Sequence, residues 1–298
     1  MVRIYEASYA GWQRCLFIEN DAVQLVATLD VGPRIIRYAA QNGANMFYEF
    51  PAHIGRTGDH EWLNYGGHRL WTAPEERPRS YPADNFPVDF TVDGNTVTLT
   101  PPPETAAGIQ KQILVTLDDV TSAVTVEHRV TNTGLWPIEL AAWGITVTDQ
   151  GGLEVIPEPS DPNALLPNRK VALWPYSKMN DPRVYWGDRY ITIRQDNTVD
   201  PPFKLGVDGR DGLVAVFNHG QVFIKRFDVE PNATYPDYGV AFESYVCGEM
   251  LECETLSPLN TVNAGETVIW TERWELHESA SPAPDDEAEI DRLLKPYR

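Results

Sequence analysis

The chain has 298 residues, 42% of them hydrophobic, and a formal net charge of -19 at pH 7. That length can bury a large core, while the charge argues against nucleic acid or an anionic membrane as partner, because phosphate binding needs clustered Lys and Arg. Cys15, Cys247 and Cys253 have no CxxC spacing and read as free thiols of a reducing compartment. The first residues lack an apolar h-region and no run approaches the ~18 apolar residues of a membrane span, so a cytoplasmic location is expected.

Taken in chain order, alternation of apolar and polar residues predicts strands nearly everywhere. Residues 12–19, 22–30 and 33–40 form a meander, with Asn20-Asp21 as a turn and Gly32-Pro33 as a break. A hairpin around Asp93-Gly94-Asn95 occupies residues 87–101, and longer strands follow at 109–118, 121–131 and 138–147. Further strands are expected at 190–194, 203–207, 212–217, 221–227, 239–246, 248–256 and 267–276, with Gly206 to Gly212 as a hairpin turn. Only Ala283 to Leu294, acidic early and with Arg292 and Lys295 late, has helical pattern, which predicts a C-terminal appendage. No linker or repeat stands out. The expectation is one all-β domain over residues 1–278, a large antiparallel two-sheet sandwich, followed by an acidic tail at 279–298 with a short helix.

Residues 51–87 and 157–188 resist the strand reading, yet they hold His53, His60, Trp62, His68, Trp71, Trp174, Tyr176 and Trp186. Long aromatic loops are either binding walls or staples to the sandwich edge. Near the end, one strand puts Met250, Glu252, Glu254 and Leu256 on a single face, the two carboxylates about 6 to 7 Å apart. The Asn263-Ala264-Gly265 turn then leads to Val268, Trp270, Glu272, Trp274 and Leu276 on a face of the next strand. Acid-bearing, Trp-rich strands suggest a groove for a polar, ring-shaped ligand. The spacing of His53, His60 and His68 matches no common zinc site, and no phosphate loop stands out, so no metal or cofactor is expected.

Several segments together carry a family resemblance. Tyr65-Gly-Gly-His-Arg-Leu-Trp-Thr-Ala-Pro-Glu75, Leu173-Trp-Pro-Tyr176, Asp181-Pro-Arg183, Tyr235-Pro-Asp-Tyr-Gly239 and the closing Leu251-Glu-Cys-Glu-Thr-Leu-Ser-Pro258 pattern resemble a DUF4380-type protein. That family is similar to the galactose mutarotase-like (aldose 1-epimerase) superfamily, which implies a β-supersandwich and a small-molecule sugar or oligosaccharide as ligand.

The resemblance implies acid–base chemistry at an anomeric centre, in which a base removes the hydroxyl proton while an acid serves the ring oxygen. Glu254 matches the family's base, with Glu252 competing on the same face, and His68 after Gly66-Gly67 matches its early histidine, with Arg69 beside it. Where such epimerases carry a second histidine, this chain has Trp143, which can stack on a sugar face. Trp71, Trp174, Tyr176, Arg183 and Lys225 complete the expected substrate-binding set. The bland alternatives are that Glu254 is a structural acid paired to Arg34, Arg69 or Lys225, that His68 bonds a loop carbonyl, and that Lys225 lies on a solvated edge. Two other functions fit the same residues: a non-catalytic carbohydrate-binding module, favoured by Trp143, and a polysaccharide lyase or glycosidase relative.

Overall fold

Short apolar runs broken by Gly, Pro and Asn turns fold into strands throughout a computed structural model that describes residues 1–159, 161 and 163–298. A first meander comprises β1 (Arg3–Tyr9), β2 (Trp12–Glu19), β3 (Val23–Thr28), β4 (Ile35–Ala40) and β5 (Gly67–Ala73). A second comprises β6 (Asp89–Asp93), β7 (Thr96–Thr100), β8 (Ile109–Leu117) and β9 (Val124–Asn132). The chain then passes through β10 (Ile138–Thr148), β11 (Leu153–Pro157), β12 (Val171–Leu173), β13 (Val184–Trp186), β14 (Tyr190–Arg194) and β15 (Phe203–Val207). It ends with β16 (Leu213–Asn218), β17 (Gln221–Phe227), β18 (Phe242–Val246), β19 (Leu251–Leu256), β20 (Asn260–Val262), β21 (Thr267–Glu278) and helix α1 (Glu287–Leu294).

These strands make two antiparallel sheets. The first runs β1-β2-β3-β4-β5-β10-β19-β18-β15-β12, with β20 pairing the start of β10, and the second runs β13-β14-β11-β16-β17-β21-β9-β8-β7-β6. The all-β, double-sheet architecture expected from the alternation is the one observed. Strands β8 and β9 show why: each alternates a buried residue with a partly exposed one, as a strand with one wet face must. Among the described residues, no helix is long and apolar enough to cross a membrane.

The differences from the sequence reading are informative. Strand β5 lies in a stretch expected to be loop: Gly67-His-Arg-Leu-Trp-Thr-Ala73 sets polar and apolar residues side by side with neither alternation nor a continuous apolar run, although all seven are buried. Its start is set by Gly66 and Gly67, at φ +91 and +63, where added Cβ atoms would meet Tyr48 O at 1.9 Å and Ile35 O at 2.4 Å. Gly206 to Gly212 is not a hairpin turn: β15 belongs to the first sheet and β16 to the second, so this segment carries the chain between sheets. Likewise β19 and β21 lie in different sheets, and Trp270, Glu272 and Trp274 are buried away from Glu252 and Glu254 rather than forming one groove with them. Helix α1 packs Ile290 and Leu294 among Leu153, Tyr190 and Ile224 of the second sheet.

Tyr38, Phe47, Phe223 and Trp274 pack at centroid spacings of 5.5 to 6.0 Å in the interior. Strand β11 turns Glu154 into this interior, 0% exposed and with neither oxygen bonded to a described residue. Burial pushes its carboxyl up to about 8, partly opposed by the nearby Ser244 hydroxyl and Cys253 thiol. Between the ordinary value of 4.5 and about 8, the folded protein therefore holds a proton that the unfolded chain releases. Stability is expected to fall as pH rises through this window, by an amount on the order of a few kcal/mol. Urea unfolding at pH 5 and pH 8 checks this, and Glu154→Gln should flatten the difference; an equal loss in the variant would assign it elsewhere.

Candidate functional site

Successive residues of a strand point to opposite faces. In the middle of the first sheet this turns one set of side chains outward from β5, β10, β19, β18 and β15. Cross-strand register aligns Arg69, Ile145, Glu254 and Glu243 in one row and pairs Trp71 with Trp143 in the next. Trp62 and Tyr81 from the loops around β5, and Trp174 and Tyr176 from the loop after β12, wall the same region. The result is a cleft of about 380 Å³ that contains Arg69, Trp71, Trp143, Trp174, Tyr176, Glu252 and Glu254 from the expected set.

Its charges are arranged in two groups. Arg69 donates from Nη2 to Glu252 Oε1 at 3.0 Å, and its guanidinium lies 4.7 Å from the Trp71 ring centroid and 5.4 Å from that of Trp62. Lys204 Nζ lies 2.9 Å from Glu254 Oε2 and 2.7 Å from Glu243 Oε2, with the Trp143 and Trp174 ring centroids both 4.7 Å away. Two carboxylates thus share one ammonium. Burial opposes charge on Lys204, but Glu243 and Glu254 win and hold its pKa above the usual lysine value. Burial raises Glu254, against the pull of Lys204, and raises Glu243 well above the carboxylate range. A buried pair with a single counter-charge retains a proton more readily than free carboxylates do, which is the property an acid–base catalyst uses. Several polar atoms have no partner among the described residues: Glu254 Oε1, Arg69 Nε and Nη1, and the indole nitrogens of Trp62 and Trp143. They are the hydrogen-bonding points a polar ring could engage.

Three expected site residues fall outside this cleft. His68, next to Arg69 on β5, points the opposite way, into the space between the sheets, and is 0% exposed. There His128 Nδ1 donates to Trp270 O at 3.0 Å, His68 Nε2 donates to His128 Nε2 at 2.7 Å, and the Thr146 hydroxyl donates to His68 Nδ1 at 2.8 Å. This network fixes both rings as neutral tautomers. Burial, reinforced for His68 by the charge of Lys225, keeps both below the ordinary histidine range. Lys225 belongs to the same chain, donating to Thr146 Oγ1 at 2.7 Å, Cys253 O at 3.0 Å and Glu272 Oε1 at 3.2 Å. It is neither on a solvated edge nor in the cleft. Arg183 is 4% exposed and pairs with Asp181 at 2.8 Å while donating to Val199 O and Pro201 O, so it braces a loop.

Metal-binding atoms come together only between the sheets among the described residues, where donor atoms of His68, His128 and Glu272 lie within 4.8 Å of one another. Lys225 already sets a cation against Glu272, and both histidines are committed to the hydrogen-bonded chain. The arrangement is a structural network.

Lys204, its partner Glu243, and Tyr245, which also lines the cleft, escaped the sequence reading. The available signal was a charge inside short apolar runs, Phe203-Lys-Leu-Gly-Val207 and Phe242-Glu-Ser-Tyr-Val246. A buried lysine in such a run requires an acid across the sheet, but register decides which one.

No family model matches the chain, and no curated protein matches it in sequence. Solved structures do match in fold. A candidate aldose 1-epimerase from Klebsiella pneumoniae aligns with a TM-score of 0.62 at 12% identity, over 93% of this chain and 84% of that one. A candidate mutarotase from Salmonella typhimurium aligns with a TM-score of 0.59 at 9% identity, over 92% and 94%. A galactose mutarotase-like protein from Lactobacillus casei aligns with a TM-score of 0.56 at 13% identity, over 88% and 100%. At such identities the likeness is one of fold, the galactose mutarotase-like sandwich.

Proposed function

We propose that the cleft takes a sugar and that the protein is an aldose 1-epimerase-like catalyst that interconverts the sugar's anomers by acid–base chemistry. The observation that carries this reading is Glu254: fully buried, one oxygen on Lys204 and the other unpartnered, in a cleft walled by Trp71, Trp143 and Trp174. Glu254 takes the proton of the anomeric hydroxyl and returns it on closure. With His68 turned away, the ring oxygen is served by Arg69, whose Nε and Nη1 have no partner among the described residues. A guanidinium does not release its proton, so Arg69 stabilises the opening ring by hydrogen bonding. The tryptophan faces hold the apolar face of the ring. The motif resemblance to the DUF4380 family remains part of this reading on those segments alone, as does a cytoplasmic location on the free thiols of Cys15, Cys247 and Cys253.

One observation favours the binding-module alternative: among the described residues, the cleft is lined by no histidine, and Trp143 stands where the superfamily resemblance implies one. Proton NMR of freshly dissolved α-glucose, α-galactose and their 6-phosphates separates the two. Anomerisation faster than buffer supports the epimerase; saturable binding without acceleration supports the module; neither effect removes both.

A further inference from the structure

A second cavity, of about 640 Å³, lies where the two sheets part, between Leu70 of β5 and Ile113 of β8. The 76–86 loop and the 101–107 loop close its sides. Arg34 lines it and is only 2% exposed. Its Nη1 is used, lying 2.6 Å from Asp84 Oδ2 and donating to Pro33 O at 3.1 Å. Its Nε and Nη2 have no partner among the described residues. Those two nitrogens form the side-on edge of the guanidinium, the fork whose parallel N–H bonds match the two oxygens of a carboxylate. A buried fork left open is a position that stabilises an incoming anion.

Other features of the cavity narrow the ligand. Asp84 Oδ1 and Glu104 Oε2 are buried acceptors without donors among the described residues, and Glu104 otherwise holds Lys111 at 2.7 Å. These acids disfavour a ligand that is only an anion and favour one that also carries a donor. Leu70, Pro78, Phe86 and Ile113 add apolar lining to the same cavity. We propose that this cavity is a second binding site, for a small organic carboxylate with a hydroxyl or amine donor beside the carboxyl group and an apolar body. The site does not depend on the function of the cleft, from which only Tyr81 is shared.

Isothermal titration with mandelate tests the proposal. Mandelate is expected to bind saturably, phenylacetate more weakly for want of the hydroxyl, and benzyl alcohol and inorganic phosphate not measurably. Arg34→Lys keeps the charge and loses the fork, so mandelate affinity should drop about tenfold or more. Ala106→Trp, at an exposed position of the cavity wall, should block binding at an unchanged melting temperature, and it decides the matter if the Arg34 variant does not fold. Glu254→Gln should leave mandelate binding unchanged, which separates this site from the cleft. No binding of mandelate, binding of phosphate in its place, or mandelate binding indifferent to Ala106→Trp and to Arg34→Lys would overturn the assignment.

Discussion

Glu254→Gln is expected to keep the fold and lose most of the anomer interconversion, by about 10²–10⁴-fold in kcat, the usual contribution of a positioned general base. The amide matches the carboxylate in shape but accepts no proton. Lys204 keeps Glu243 at 2.7 Å, so removing one of its two counter-charges leaves the ammonium paired. An unchanged melting curve and circular dichroism spectrum would confirm that the loss is chemical. The pH profile adds an independent check: the base must be ionised, and burial raises Glu254 above the ordinary 4.5, so kcat/KM should climb with pH through an inflection above that value. Glu252→Gln should act differently, because Glu252 orients Arg69 through their 3.0 Å bond and its loss disturbs both binding and ring opening. If Glu254→Gln anomerises sugars at the wild-type rate, Glu254 is not the base.

The largest expected effect on stability comes from Lys225→Met. Lys225 and Glu272 are both 0% exposed, with 3.2 Å between Nζ and Oε1. Methionine fills similar volume but leaves the carboxylate of Glu272 buried without its cation. Breaking one side of such a pair costs about 3–5 kcal/mol. Thr255 and the Trp274 indole still donate to Glu272, which limits the damage. The Thr146 hydroxyl loses its donor, so the His68–His128 chain loosens at one end. Adding Glu272→Gln to the methionine variant should recover part of the loss, since it removes the stranded charge. Urea unfolding of the single and double variants reads both, and a single-variant loss below about 1 kcal/mol would mean that the charge finds another partner.

The class of fold was legible locally, because a wet face and a dry face write themselves as alternation along β7, β8, β9 and β21, and short apolar runs between turn residues mark the strands buried on both faces. The sequence by itself also put Glu252 and Glu254 on one face, a consequence of the strand period alone, and singled out Trp71, Trp143, Trp174 and Tyr176 as aromatic walls that the cleft does contain. Strand β5 stayed hidden because His68, Arg69 and Thr72 interrupt its apolar residues without a strand period, their burial being decided by what packs on them from elsewhere. Only the tertiary structure could choose between His68 and Arg69, since adjacent strand residues face opposite ways and nothing local says which face is outside the sandwich. Lys204 reaches Glu254 across a sheet, 50 residues apart in the chain, through the pairing of β15, β18 and β19. The assignment of β19 and β21 to different sheets, which moved Trp270 and Trp274 out of the site, is equally non-local. Strand period is a property of the backbone and can be read from neighbours; sheet membership and register arise from contacts between distant segments, and those are set by how the whole core packs.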